Sequence, residues 1–167
     1  MKKIFSSLFI IIILVTACNT NKDRDTFNAA ERNYNDKKYA EALTDYKLVI
    51  EEYSSSDFAA KSLMRVGSMY QMFLVPNVQG DESNKKAVEY YRDLYKNFPK
   101  SEDAPKALFM SGFILANNLN KFDEAKLTYQ TFLEKFPKHE LAPQIKMELE
   151  NLGKTPEEIL ENKLSAK

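Results

Sequence analysis

Tryptophan is absent from this 167-residue chain, cysteine and histidine occur once each, and there are four glycines. With one histidine and one cysteine there is no His/Cys metal cluster and no nucleophilic triad. His139, just after Pro137, reads as a solvated residue at a turn. A lone cysteine also excludes a disulfide framework and any CxxC redox or metal motif. Four scattered glycines make no Gly-rich loop, which argues against a phosphate-binding turn. Charge of one sign is missing too. The 24 basic residues balance 24 acidic ones and form no patch, so nucleic acid is not an expected partner. Carboxylates such as Glu51-Glu52 and Glu157-Glu158 fall on expected exposed helix faces or in a first turn, where Glu favours the helix dipole. The expectation is a non-enzyme with no catalytic residues, metal or cofactor; a carboxylate pair formed across distant segments is the one catalytic arrangement left open.

Long hydrophobic runs are equally scarce. The one that stands out, Ile4–Val15, is broken only by Ser6-Ser7 and follows Lys2 and Lys3. It falls short of the ~20 apolar residues that span a bilayer and has the form of a signal-peptide core. Val15-Thr16-Ala17-Cys18 resembles a bacterial lipobox, with small residues leading into a cysteine. That resemblance implies cleavage before Cys18, which then carries diacylglycerol and an amide-linked acyl chain. More than one chain makes membrane anchoring stable rather than marginal. Residues 1–17 are accordingly read as a lipoprotein signal peptide and residues 18–25 as a lipidated tether. Asn19 after the cysteine, in place of Asp, resembles the sorting pattern for the outer membrane, and its periplasmic face is the expected location; the charged tether Asn19–Asp25 resembles surface-export signals, which makes the cell surface the alternative. Cleavage removes Lys2 and Lys3 and no acidic residue, leaving a mature charge near −2.

What the chain does have is a pattern written three times. From Ala42, Ala87 and Ala125, a tyrosine follows at +4 (Tyr46, Tyr91, Tyr129). An apolar pair follows at +7 and +8, and an aromatic at +11 (Tyr53, Phe98, Phe136). These offsets share one face of an α-helix. Pro99 and Pro137 then stop two of the copies. At +17 stand Ala59, Ala104 and Ala142, and at +25 Gly67 and Gly112. Two mid-helix glycines at matching places, each costing about 0.5–1 kcal/mol relative to Ala, predict close helix–helix approach.

Each unit therefore reads as two antiparallel helices, the first carrying a small residue and the second the Ala…Tyr…aromatic face. The arrangement resembles the tetratricopeptide repeat, echoed in Tyr39-Ala-Glu-Ala42-x-x-x-Tyr46 and Phe122-Asp-Glu-Ala125-x-x-x-Tyr129, with Pro99 and Pro137 as closing prolines. Ser54 departs from the first closing proline and Asn84 from the aromatic before the second alanine. The expected fold is all-α, a tetratricopeptide-type helical solenoid of about three helix-turn-helix repeats plus C-terminal capping helices. The repeat domain covers residues 26–153, with its first helix from about Arg24 to Asn35. Leu141, Ile145, Leu149 and Leu152 form the stripe of a capping helix closed by Gly153. Residues 154–167 make a short C-terminal helix and tail, opened by the capping box Thr155-Pro-Glu-Glu158. Ile159, Leu160 and Leu164 are expected to dock that helix on the preceding one.

The resemblance also implies where a partner sits, because in this family the first helices line a concave face. With Ala30, Gly67 and Gly112 at the small position, Phe27, Tyr34, Met64, Gln71, Met72, Phe109, Phe113 and Asn117 aim at the groove. Lys61 and Lys106 stand at its edge. Aromatics and methionines suit an apolar peptide segment, and the lysines suit an acidic flank or a terminal carboxylate. The alternative is that these side chains pack the first helices on one another. A second candidate surface is the stretch 74–83, whose Pro76 and Gly80 mark a loop and whose Val75 and Val78 are expected to be partly exposed.

The functional expectation is a lipid-anchored adaptor of the bacterial cell envelope, binding an envelope protein or peptide segment and held to the membrane through Cys18. The spacing Ala-x-x-x-Tyr…Phe-Pro-Lys-Ser101 also resembles repeats of the lipoprotein subunit of the β-barrel assembly machine and of the periplasmic protein linked to the Tol–Pal system. That likeness implies a role in assembling outer-membrane or cell-wall complexes. The alternative is a ligand-capture lipoprotein serving a transporter.

Overall fold

The computed structural model describes residues 21–165, an all-α helical repeat solenoid. Cys18, the signal segment and the lipobox lie outside the described residues. Eight helices follow one another among the described residues: α1 (Lys22–Asn35), α2 (Tyr39–Glu52), α3 (Asp57–Gln71), α4 (Gly80–Asn97), α5 (Ala104–Asn117), α6 (Phe122–Lys135), α7 (Ala142–Asn151) and α8 (Pro156–Ser165). None of them is long and apolar enough to cross a membrane. Helix α1 takes in Lys22–Asp25, so half of the expected tether is helical. Its acidic first turn, Asp23 and Asp25, favours that start by facing the positive end of the helix dipole.

The repeat pattern becomes the core. Ala42, Ala87 and Ala125 are fully buried, as are Tyr46, Tyr91 and Tyr129 within one per cent. Each helix pair closes on a small residue. A β-carbon on Gly67 would meet the Tyr91 ring at 2.7 Å, and one on Gly112 the Tyr129 ring at 2.5 Å. The aromatics at +11 act as helix stops: Tyr53, Phe98 and Phe136 all leave the helix with φ between −125° and −130°. The residue before a proline is steered away from helical geometry. Tyr53 adopts the same geometry before Ser54, so the stop does not depend on proline.

The stretch expected as a long loop, 74–83, is helical only in its last four residues. Helix α4 begins at Gly80 and runs 18 residues against 14 in α2 and α6, absorbing residues 80–83 into an added turn. Ser83 is buried there, and its hydroxyl donates to the Tyr70 carbonyl at 2.7 Å. What remains, Phe73 to Gln79, opens with a helix stop in which Phe73 N–H bonds the Tyr70 carbonyl and Leu74 N–H the Met69 carbonyl. This geometry places Phe73 at φ 56°. A left-handed conformation costs an L-residue roughly 1–2 kcal/mol, and Phe73 bears it while 40% exposed.

Two expectations at the chain's end change. His139 is packed rather than solvated: its ring stands edge-on to Phe132 at 5.6 Å, and its Nδ1 accepts the Leu141 N–H at 3.1 Å, satisfying a free donor at the start of α7. The capping box forms as read, with Thr155 N–H donating to Glu158 Oε2 at 2.7 Å and Glu158 N–H to Thr155 Oγ1 at 3.3 Å. Yet of the three docking residues only Ile159 is half-buried; Leu160 and Leu164 are 59% and 64% exposed. The reason lies in the repeat register. Glu150 stands in α7 where α3 and α5 have glycine, eight residues after the +17 alanine, so α7 offers no notch for a second helix.

Candidate protein-interaction face

The candidate contact residues fall where the repeat register places them, on the first helices α1, α3 and α5 and the Met72 cap. Three states of exposure divide them. Lys61, Lys106 and Asn117 are exposed, as is Met72 at 50%. Phe27, Tyr34, Met64 and Phe113 are half-buried, resting on the core with one side and open on the other. Phe109 is 8% exposed and belongs to the core, a correction to its place in the groove. Its ring lies 6.1 Å from that of Phe113, which it supports from below. Gln71 is half-buried and committed inward, its Oε1 accepting the Tyr91 hydroxyl at 2.8 Å. Phe27 is held between the rings of Tyr46 and Phe58, at 5.8 and 5.3 Å.

Of the loop candidates, Val78 is partly exposed as expected, and Val75 needs a larger correction. Val75 is 4% exposed and part of the core, and Val78 is half-buried against it. The helix stop at Phe73 turns the chain so that the residues after it fold back under α3, which spends these valines on packing. The same turn leaves Met72 and Phe73 as an exposed apolar pair at the end of α3.

Sequence reasoning missed three features of this face. Glu31 on α1 accepts two bonds from Arg65 on α3, at 2.7 and 2.8 Å, and a third from the Tyr46 hydroxyl at 2.6 Å. The Arg65 guanidinium also covers the Tyr34 ring at 5.6 Å. Burial, then the bond to Glu31, pushes the Tyr46 hydroxyl well above its usual range. Phe73 is the second, because a left-handed aromatic leaves no signature in a sequence. Met147 is the third, and a signal for it existed. It lies twenty-two residues after Ala125, as Met64 and Phe109 lie after Ala42 and Ala87. At 57% exposure it continues the apolar column onto α7. Lys61 carries its ammonium 5.2 Å from the Phe58 ring centre.

No group of three or more His, Cys, Asp or Glu positioned to hold a metal occurs among the described residues. Residues 106–139, nearly all of α5 and α6, match the family model described as tetratricopeptide repeat. No curated protein matches the chain. The repeat match, set within an all-helical array, supports a tetratricopeptide-repeat protein, of a family of non-catalytic repeats that bind protein partners.

Proposed function

We propose that this protein is a lipid-anchored adaptor of the bacterial cell envelope that holds an apolar segment of a partner protein along α1, α3 and α5. The observation that carries the reading is the half-open apolar floor of that face. Phe113 and Met64 are half-buried, and Met72, Phe73 and Met147 are 50%, 40% and 57% exposed. Adaptable methionines beside rigid aromatics suit an apolar segment, and the exposed Lys61 and Lys106 suit acidic residues beside it. The lipobox resemblance at Cys18 supports tethering to the outer membrane, facing the periplasm. The likeness to envelope-assembly repeat proteins supports a place in outer-membrane or cell-wall complexes.

The test has two parts. The processed protein should begin at Cys18 and partition into detergent, and Cys18→Ala should yield unprocessed precursor or a soluble form. A Cys18→Ala protein that is still processed and membrane-bound sinks the anchor. Phe113→Ala and Met72→Ala should each reduce partner recovery from envelope extracts while helical content persists. Unchanged recovery with both sinks the groove.

A further inference from the structure

Half-buried glutamates in this solenoid are held by arginines of a neighbouring repeat, except the last. Three such glutamates occur among the described residues: Glu31 on α1, Glu124 on α6 and Glu148 on α7. Glu31 receives the Arg65 guanidinium from the following repeat at 2.7 and 2.8 Å, and Arg65 also covers the Tyr34 ring at 5.6 Å. Glu124 receives Arg92 from the preceding repeat at 2.9 Å. Glu148 forms no ion pair among the described residues, and no arginine follows Arg92 in the chain. Instead Glu148 lines a cleft of about 320 Å³ between the C-terminal ends of α5 and α7 and the start of α8. The exposed ring of Phe122 and the carboxamides of Asn117, Asn120 and Asn151 line it too. Asn117 is also a candidate contact residue, so the cleft continues that face.

We propose that this cleft seats the side chain of an arginine in the partner segment, which does for Glu148 what Arg65 does for Glu31. Resting on the adaptor reading, it adds the chemistry that the C-terminal end of the groove selects. The template is a carboxylate beside an aromatic face: Glu31 with Tyr34 for Arg65, and Glu148 with Phe122 for the incoming guanidinium. A guanidinium presents its N–H donors as a planar fork and lays its flat face on an aromatic ring, which a lysine ammonium cannot do at once. The Asn117 amide nitrogen is already engaged with the Phe113 carbonyl at 3.1 Å, which leaves its oxygen to accept. The C-terminal ends of α5 and α7 add the negative ends of two helix dipoles to the wall, against the one positive end at the start of α8. Lys154 opposes a cation, but it is exposed while Glu148 is half-buried, so solvent and salt screen the lysine more and the carboxylate decides the sign of the occupant.

Titration of Nα-acetylargininamide into the ¹⁵N-labelled full-length chain in detergent tests the proposal. It should produce saturable amide shifts at Asn117, Glu148 and Asn151. Nα-acetylcitrullinamide, which has the same shape without the charge, should produce none at equal concentration. Glu148→Gln keeps the shape of the side chain and should weaken binding at least about tenfold, the effect of losing one charge-assisted hydrogen bond. Lys154→Ala removes the competing cation and should tighten it. Absence of saturable shifts, equal shifts from the citrulline compound, unchanged affinity in Glu148→Gln, or weaker binding in Lys154→Ala each overturn the proposal. The comparison of the two compounds is made on the unaltered chain, so it decides the matter whatever a substitution does to folding. The adaptor reading is judged separately, by loss of partner recovery in Phe113→Ala; that loss, alongside a cleft that fails its titration, refutes the arginine seat and leaves the groove standing.

Discussion

The ring of Tyr129 lies so close over Gly112 that a β-carbon there would stand 2.5 Å from its Cε1. Tyr129 is fully buried and has no room to retreat. Gly112→Ala gains up to about 1 kcal/mol of helix propensity but overpacks the contact at about 1–3 kcal/mol. Net destabilisation is expected, read as a lowered denaturation midpoint. An unchanged or raised midpoint would mean that the helix pair closes on some other residue.

Glu31 holds repeat one to repeat two. Glu31→Ala strips the acceptor from the buried Tyr46 hydroxyl and from Arg65. A buried hydroxyl left unpaired costs about 1–3 kcal/mol. Urea unfolding should show a loss in that range, and Glu31→Gln, which keeps one acceptor oxygen, should lose less. Equal losses for the two variants would contradict this account of the cluster.

The periodic part of this fold was legible in the sequence, because Ala42, Tyr46, Gly67 and their counterparts repeat on helical spacing and all are buried. Pairings between different repeat positions were not. Glu31 and Arg65 meet across two helices from offsets that do not recur, so no periodicity announces them. The added turn of α4 was hidden because Gly80 and Ser83 read as loop chemistry, whereas burial of Ser83 against the Tyr70 carbonyl favours helix. His139 was misread because its partners, Phe132 and the Leu141 N–H, are set by the turn geometry rather than by residue type. For the candidate face, the register assigns its residues to α1, α3 and α5, but depth was beyond it. Phe109 and Phe113 lie one turn apart, and only packing distinguishes core from floor.

Glu124 ties α4 to the start of α6, accepting from Lys121 at 2.7 Å and from Arg92 at 2.9 Å. The Lys121 ammonium first, then the Arg92 guanidinium, hold its carboxyl below the ordinary 4.5. A depressed folded pKa means that the stabilisation is present above the unfolded value and is lost as pH falls through the folded one. Glu124→Gln should therefore cost well under about 1 kcal/mol at neutral pH, as expected for an exposed pair. The difference should disappear below the folded pKa. Melting curves of both proteins across that acid range check it, and a gap that persists or widens in acid would contradict the sign.

Helix α8 rests on its capping box and on Ile159, its one half-buried apolar side chain among those described. Thr155→Ala should cost that helix about 1 kcal/mol. Amide exchange should quicken across residues 156–165 while α1–α7 keep their protection. Uniform quickening along the chain would show that α8 is integral to the solenoid.

The central claim is that the face formed by α1, α3 and α5 grips a partner. A photo-crosslinking residue placed at Met72, on that face, is compared in living cells with one at Leu127, which is 65% exposed on α6. The account predicts one protein adduct from position 72, lost when Phe113→Ala is added, and no such adduct from position 127. No adduct from position 72, the same adduct from both positions, or an adduct indifferent to Phe113→Ala would contradict it.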